Sequence, residues 1–278
     1  MSWHATARHA AQRVGVEPRY LRRLRWISKA RAVRRYGGRV GEHVPYVLAG
    51  AEPDNFTYEL ANEDELASWV ADVAGVARER ADAVFAEFRG DRVLAQRVRR
   101  ATAVHRLWSK RSPPFGKRVA WYALARLVRP ARAVETGVHD GLGALAVLRA
   151  LELNRHEGSF GSLVSFDINP SSGWMVGSHA LWELRIEPAT RGLPSLLDGG
   201  PPIGLFIHDS LHTYENERAE LELGAAHLAP DGVLLSDNAH ATRALSDVCA
   251  AAGLRYFEFR ERPAGHFYPG GATGAGRR

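Results

Sequence analysis

The sequence contains a single cysteine, almost no lysine and no long apolar run. Cys249 alone can form neither an internal disulfide nor a cysteine-rich zinc site, and such a chain fits a reducing cytoplasm. No apolar run approaches the roughly 20 residues that a membrane-spanning helix needs. The first residues, MSWHATARHAAQRV, lack the continuous apolar stretch of a secretory signal. We therefore expect a cytoplasmic protein without a membrane span.

Arginine carries almost all of the basic charge, because lysine occurs only at Lys29, Lys110 and Lys117. The formal net charge is +6 and the isoelectric point is about 9.8. Abundant arginine, alanine, glycine and valine are typical of GC-rich coding, which weakens this charge as an indication of nucleic-acid binding. With 278 residues, of which 45% are hydrophobic, the chain can form one sizeable core with an appendage, or two small domains.

The N-terminal part of the chain has the periodicity of helices. Apolar residues recur at three- and four-residue spacing over 18–36 and 63–87, which predicts amphipathic helices. Asn62 lies three residues before Glu65, the spacing of a capping box at a helix start. The paired prolines of RSPPFG, residues 111–116, cannot continue a helix and mark the predicted domain boundary.

From residue 117 onward, strand-like apolar segments alternate with helical ones. This alternation predicts an α/β fold with a mostly parallel sheet covered by helices on both faces. The predicted strands are 131–137, 162–168, 203–209, 232–238 and 254–260, and the predicted helices are 117–128, 142–153, 174–184, 214–228 and 242–253. The resulting organisation is a mainly helical region over 1–115, an α/β domain over 116–269 and a flexible glycine-rich tail over 270–278.

The first candidate ligand site is the turn VETGVHDGLGA, residues 134–144, at the end of the first predicted strand. Ligands of parallel sheets bind at the carboxyl ends of the strands. Gly137, Gly141 and Gly143 permit a tight turn and close approach of a ligand, but their spacing is not the G-x-G-x-x-G of dinucleotide-binding enzymes. Glu135 suits a ligand that carries an amine or hydroxyls. An ordinary glycine-rich turn remains the alternative.

A second carboxylate closes the next predicted strand. Asp167 lies 30 residues after Gly137, in SFDINP. A carboxylate at the tip of the second strand is the usual partner of ribose hydroxyls. A helix-capping role is the alternative.

The stretch FIHDSLHTYE, residues 206–215, places His208 four residues before His212, like the histidine pair of zinc peptidases. That pair needs both histidines on one helical face. Prolines and a glycine precede the apolar run GLFI here, so His208 belongs to a strand and the peptidase interpretation fails. We expect His208 to be buried and structural.

Oxygen donors follow two further predicted strands. Asp209 comes directly after His208, and Asp237 and Asn238 close the following strand. Adjacent parallel strands would place the three side chains at one edge of the sheet. Two carboxylates and an amide carbonyl are hard donors that suit Mg²⁺, with Mn²⁺ and Ca²⁺ as alternatives, rather than zinc. Because Asp and Asn are also common turn residues, a purely structural role stays open.

The four strand ends together, ETGVHDGLG, SFDINP, IGLFIHDSLHTYE and APDGVLLSDN, resemble those of class I S-adenosylmethionine-dependent methyltransferases. The resemblance covers about residues 117–260 and rests on the order and spacing of motifs that are individually weak. It implies a Rossmann-like, doubly wound, mostly parallel sheet of seven strands. The cofactor-binding residues that it implies are Glu135, Thr136, Gly137, Gly141, Gly143, Asp167 and Asp209.

Within that class, the chain most resembles metal-dependent small-molecule O-methyltransferases, namely catechol-type enzymes and sugar O-methyltransferases of macrolide and aminocoumarin biosynthesis. The resemblance implies that Asp209, Asp237 and Asn238 bind Mg²⁺ and that His212 acts as the general base beside Asp209. Two features depart from the pattern. The sugar enzymes more often end the fifth strand with two acids, and the catechol-type enzymes use a lysine base, which the sequence does not place near Asp209.

The expected reaction is therefore Mg²⁺-assisted O-methylation of a hydroxylated small molecule, such as a sugar-bearing or phenolic metabolite. The basic helix over 18–36 leaves alternatives open, because it could contact nucleic acid or an anionic membrane, or simply pack on the sheet domain. In related enzymes, N-terminal helices often form an acceptor lid or the contacts of a homo-oligomer. An RNA methyltransferase and a non-catalytic cofactor-binding protein are the competing functions.

Overall fold

The computed structural model describes residues 19–48, 57–104 and 113–278. Its first part is helical, as predicted, although the segment over 63–87 forms two helices because Gly75 ends the first of them in a left-handed conformation with φ 62°. Residues 111 and 112 of the predicted boundary lie outside the described residues. The elements are α1 (Arg19–Arg35), a 3-10 helix (Val40–His43), α2 (Val44–Leu48), α3 (Glu63–Ala74), α4 (Arg78–Gly90) and α5 (Arg92–Val104).

The second part is a seven-stranded sheet with helices on both faces. Its order is β3-β2-β1-β4-β5-β7-β6, with β1 to β5 parallel and β7 antiparallel to both of its neighbours. This confirms the predicted doubly wound, mostly parallel fold. The elements are α6 (Arg118–Val128), β1 (Arg132–Thr136), α7 (Leu142–His156), β2 (Ser162–Asp167), β3 (Trp182–Ile186), α8 (Ala189–Leu197), β4 (Ile203–His208), α9 (Tyr214–Ala226), β5 (Leu228–Ser236), α10 (Ala244–Ala252), β6 (Arg255–Arg260) and β7 (Ala272–Arg277).

The predicted helix over 174–184 is wrong, because its last residues form the edge strand β3. Gly173 and Gly177 adopt positive φ angles, which interrupt any helix at this point. Trp182 then pairs in register with Leu163 of β2, and its indole Nε1 donates to Ser165 Oγ at 2.9 Å. Tertiary pairing with β2 therefore overrides the helical periodicity of the segment.

The predicted flexible tail is also wrong, because its residues form the buried strand β7 between β5 and β6. The glycines that suggested mobility allow α10 to pack directly on this strand. A methyl group at Gly276 would lie 2.4 Å from Cys249 Sγ, and one at Gly274 would lie 2.6 Å from Leu245 Cδ2. Strand hydrogen bonds and close packing thus replace the side-chain contacts that the tail lacks.

The largest hydrophobic core joins the two predicted domains. Leu66 and Trp69 of α3 and Phe85 of α4 are buried in the same cluster as Trp121 of α6 and Ala133 of β1. The boundary at residue 115 therefore does not separate two cores, because α3 and α4 pack into the core of the sheet domain. The opposite face of the sheet is covered by α8, α9 and α10. No helix in the described ranges is long and apolar enough to cross a membrane.

Candidate active site at the carboxyl edge of the sheet

The turn after β1 lies directly against the end of β4. Gly137 adopts φ 82°, and its N–H donates to Phe166 O of β2 at 2.8 Å. A methyl group here would lie 2.0 Å from the backbone oxygen of Asp209, so only glycine fits. The other two glycines serve packing, since Gly141 lies against Gly173 and Gly143 against the ring of Trp121. The close contact between Gly137 and Asp209 brings the carboxyl ends of β1 and β4 together.

Glu135 and Thr136 point to opposite faces of the sheet. The Glu135 carboxylate is buried and accepts from Ser165 Oγ at 2.7 Å, and burial raises the pKa of Glu135 to about 8. The Thr136 hydroxyl donates to Glu220 Oε2 of α9 at 2.6 Å, on the other face. The Thr136 side chain thus points away from the glycine turn, because successive side chains of a strand alternate between the two faces of the sheet. The motif alone does not reveal this orientation.

Asp167 fixes the conformation of the glycine turn. Its Oδ2 accepts from the backbone N–H groups of Val138 at 2.9 Å and His139 at 3.1 Å, and its Oδ1 accepts from Asn169 N at 2.8 Å. Beside it, Ile168 is 74% exposed and Ile186, at the end of β3, is 44% exposed. The carboxyl ends of β2 and β3 therefore combine a hydrogen-bonded carboxylate, that of Asp167, with exposed apolar surface.

The four predicted residues at the ends of β4 and β5 lie together. His212 Nε2 is 3.5 Å from Asp209 Oδ1 and 2.9 Å from Asn238 Nδ2. The backbone holds the pair of strand ends in place, because Asp237 N donates to His208 O at 2.8 Å. The parallel pairing of His208 with Ser236 explains why residues so distant in sequence meet here.

Sequence reasoning missed a lysine at this edge. Lys117, immediately before α6, is buried, forms an ion pair with Asp237 Oδ1 and lies 3.2 Å from Glu261 Oε1. Tyr58 donates to the other oxygen of Glu261. The expectation that the site lacks a lysine is therefore wrong. The only signal available was the rarity of lysine, because no motif links Lys117 to Asp237.

The carboxylates of this edge have strongly shifted pKa values. Burial and the nearby Asp237 carboxylate raise the pKa of Asp209 to about 6. Burial alone would raise the pKa of Asp237, but the Lys117 ammonium outweighs it and lowers the pKa to about 2. Burial would lower the pKa of His212, whereas Asp209 and Asp237 together raise it. Asp237 is thus anionic near neutral pH, beside an Asp209 whose pKa is considerably higher.

The donor set of this edge fits a hard divalent cation. Asp209 and Asp237 are crowded enough to shift each other's pKa, and a cation between them would relieve their repulsion. Asn238, on the same strand end, can add an amide oxygen, the third hard donor. Lys117 already neutralises Oδ1 of Asp237, so the ammonium and a metal would share this carboxylate.

A buried polar layer lies directly beneath this edge, between the sheet and α9. We use this name for His208, Glu217 and Glu220 with their hydroxyl partners. His208 is fully buried, as predicted, and its Nδ1 lies 2.7 Å from Glu220 Oε2. Glu217 accepts from Ser236 Oγ and Thr242 Oγ1, each at 2.6 Å. No pattern in the sequence indicated that α9 would direct two glutamates toward the sheet.

Comparisons with known proteins agree with this architecture. Residues 134–239 match a family model described as a methyltransferase domain. No curated protein matches the sequence. By structure, the chain is similar to a proposed O-methyltransferase from Klebsiella pneumoniae, with a TM-score of 0.52 and 16% identity over 68% of this chain and 90% of that one. It is also similar to the O-methyltransferase TomG of tomaymycin synthesis from Streptomyces achromogenes, solved with S-adenosylmethionine, with a TM-score of 0.50 and 18% identity over 67% of this chain and 89% of that one.

The fold and the matched segment are both similar to those of known methyltransferases. Residues 134–239 match a methyltransferase domain, and the seven-stranded sheet has the fold of the O-methyltransferase structures named above. The matched segment runs from the start of the glycine turn to just beyond β5. It therefore includes the carboxyl ends of all five parallel strands, where the candidate site lies.

Proposed function

We propose that the protein is an O-methyltransferase that uses S-adenosylmethionine to methylate a hydroxyl group of a small molecule. The observation that carries the proposal is the grouping of Asp209, His212, Asp237 and Asn238 beside the glycine turn. This arrangement places a base, two carboxylates and an amide next to the glycine turn. It suits methylation of a hydroxyl group, which must lose a proton. Methylation of an amine needs no metal or strong base.

The ends of β1 to β3 would hold the cofactor. Glu135 would accept from the cofactor's amine. Asp167 already accepts from three backbone N–H groups, which leaves about one of the four lone-pair positions of its carboxylate for a ribose hydroxyl. The exposed side chains of Ile168 and Ile186 offer apolar surface for the adenine. When bound, S-adenosylmethionine supplies a methyl group that is already activated on its sulfonium sulfur.

His212 is the proposed general base, acting through Nε2. Asn238 Nδ2 donates toward Nε2 when the imidazole is neutral, and Asp209 Oδ1 can accept from Nε2–H once the proton has been taken. Both protonation states of His212 therefore have a partner in place. The acceptor hydroxyl would lose its proton to Nε2, and its oxygen would take the methyl group as the carbon–sulfur bond of the sulfonium breaks and leaves a neutral thioether. General base catalysis of this kind contributes on the order of 10²–10⁴-fold.

Asp209, Asp237 and Asn238 would hold Mg²⁺, for which their oxygen atoms are suitable ligands. Bound there, the ion would lower the pKa of a coordinated hydroxyl and orient it. Lys117 keeps Asp237 ionised, because its ammonium forms an ion pair with the carboxylate and lowers its pKa.

An aromatic wall beside this edge favours a small acceptor. Tyr58, buried, packs against His266 and Tyr268 with ring centroids 5.5 and 5.7 Å apart. Tyr36 of the segment after α1 packs edge-on against Tyr268 at 5.0 Å. Aromatic faces suit phenolic rings and the apolar faces of sugars. In this arrangement, α1 and its following segment would close over the acceptor.

The first test is calorimetric titration with S-adenosylmethionine, without and then with Mg²⁺. We expect micromolar cofactor binding in both cases and an additional heat from Mg²⁺ in the wild type. Asp209→Ala should lose the Mg²⁺ heat and metal-stimulated turnover while it keeps cofactor binding. Full activity of Asp209→Ala in EDTA would contradict the metal part of the proposal, and absence of binding at millimolar cofactor would contradict the whole.

An RNA substrate is the competing function, favoured by the exposed arginines Arg31, Arg34 and Arg35 of α1. The same helix also packs Val33 into an aromatic cluster with Phe267, which gives it a structural role without RNA. Binding of RNA that weakens steeply with salt would favour the RNA methyltransferase. Turnover of phenolic or sugar hydroxyls without RNA would exclude it as the main function.

A further inference from the structure

We infer that His208 and Glu217 of the buried polar layer, together with the half-buried His212 above them, form a second metal site for a transition metal such as zinc. One ring nitrogen of each histidine and one carboxylate oxygen of Glu217 lie within 4.8 Å of one another. Two nitrogens and one carboxylate oxygen are the protein ligands of many zinc centres with an open fourth position. This set is distinct from the oxygen ligands proposed for Mg²⁺.

Two buried nitrogen atoms of this group have no hydrogen-bond partner. They are Nε2 of the fully buried His208 and Nδ1 of His212. Buried polar atoms are rarely left unsatisfied, and each such atom in a native protein requires an explanation. A metal ion would satisfy both atoms at once.

The surroundings of His208 match those of a metal-binding histidine. Its Nδ1 lies 2.7 Å from Glu220 Oε2, and Glu220 in turn accepts from Thr136 and Ser210 hydroxyls. A carboxylate on the second ring nitrogen is the usual partner of metal-bound histidine, because it fixes the tautomer that leaves the other nitrogen free. The lone pair of Nε2 is therefore available for an ion.

The charge of the layer also favours a cation. Glu217 and Glu220 place two carboxylates one helical turn apart in a fully buried environment. The hydrogen bonds to Glu217 come from the neutral hydroxyls of Ser236 and Thr242. Buried carboxylates are stable when a compensating charge is present. Tetrahedral zinc with bonds of about 2.0–2.1 Å sets ligand atoms roughly 3.4 Å apart, so small side-chain rotations would close the group.

Occupation of this site would switch the tautomer of His212. An ion takes the Nδ1 lone pair of His212, which leaves its proton on Nε2, the atom that faces Asp209 and Asn238. A proton on Nε2 prevents that atom from accepting another. This consequence rests on the proposed function, in which Nε2 is the base: zinc would inhibit methyl transfer. The binding site itself does not rest on it.

The test is the binding of Zn²⁺ to the purified full chain, measured by competition with a chromophoric chelator. We expect one tightly bound equivalent in the wild type and none in His208→Gln. Glu220→Gln, which removes only the partner of His208, should weaken binding about 10–100-fold. The matched control His227→Gln changes an exposed histidine and should bind like the wild type. Asp237→Asn should also keep the zinc, which separates this site from the proposed Mg²⁺ ligands.

A second measurement covers the case in which His208→Gln does not fold. Co²⁺ added to the wild type should give the visible absorption of a four-coordinate nitrogen–oxygen site, and Glu217→Gln should change that spectrum. Equal zinc affinity of the wild type, His208→Gln and Glu217→Gln would overturn the site. Zinc that binds with one equivalent yet leaves turnover unchanged would overturn only the tautomer switch, and cofactor binding reports separately on the proposed function.

Discussion

The carboxyl edge of the sheet has two halves that are built on different principles. The cofactor half comprises the ends of β1, β2 and β3, and the acceptor half comprises the ends of β4 and β5 with Lys117. In the cofactor half, carboxylates are tied to neutral donors, as Asp167 is to three backbone N–H groups. In the acceptor half, charged groups face each other, as Asp237 does Lys117. The first half has a fixed shape, and the second concentrates charge where a proton must move.

The largest expected effect is on turnover and comes from His212→Gln in the acceptor half. The variant keeps a polar side chain but removes the base, so we expect kcat to fall by on the order of 10²–10⁴-fold. The dissociation constant of S-adenosylmethionine should not change. Steady-state kinetics and calorimetry measure the two quantities. His227→Gln is the matched control, and wild-type turnover in His212→Gln would show that another group takes the proton.

Lys117→Met tests whether the acceptor half depends on its internal cation. The change leaves Asp237 and Glu261 buried without their shared ammonium, which typically destabilises a protein by about 3–5 kcal/mol. Urea denaturation measures the loss in the free energy of unfolding. Asp237→Asn in the same chain should restore part of it, because the two residues are in contact. If the free energy of unfolding falls no more than is usual when an exposed lysine is substituted, water screens the ion pair between Lys117 and Asp237.

Asp167→Asn tests the cofactor half. The amide keeps the size of the side chain but replaces one charged acceptor, and hydrogen bonds to a charged group contribute about 1.5–3 kcal/mol each. We expect weaker binding of S-adenosylmethionine by roughly 10–150-fold, with turnover at saturating cofactor little changed. Asp231→Asn, at an exposed position of β5, is the control. A loss of turnover without a loss of affinity would place Asp167 in the chemistry instead.

The last expected effect is on the pH dependence of stability and comes from Glu135→Gln. Burial raises the pKa of Glu135 from 4.5 to about 8, so the folded state retains a proton that the unfolded state releases. Its contribution to stability is full below pH 4.5 and is lost as the pH rises toward about 8. The variant should therefore lose less stability than the wild type between these values. Unfolding free energies at several pH values give the comparison, and parallel curves would contradict it.

The sequence predicted the acceptor half better than the cofactor half. Asp209, Asp237 and Asn238 were predictable as neighbours because parallel strands align their carboxyl ends whatever helices lie between them. Thr136 belongs to a motif, but the alternation of side chains along β1 directs its hydroxyl to Glu220 on the other face. Lys117 could not be predicted, because its place depends on how α6 packs, which no local pattern encodes.

Local composition was misleading where tertiary pairing decides the structure. The segment over 174–184 has helical periodicity, yet the free edge of β2 selects a strand for Trp182–Ile186. The glycines over 270–278 suggest mobility, yet β5 and β6 select a strand that α10 can approach closely. In both cases, the segment pairs with neighbouring strands, and the local sequence does not reveal where those strands lie.

The position of β7 also sets an order for the assembly of the sheet during synthesis. Chains leave the ribosome from the N-terminus at about 5–20 residues per second. β6 emerges before β7, but among the described residues β7 is the only strand that pairs with it. The carboxyl edge with Asp209 and Asp237 can therefore form early, while β6 and the Glu261 that follows it wait for β7. The ion pair that Lys117 makes with Glu261 would be among the last contacts that the nascent chain completes.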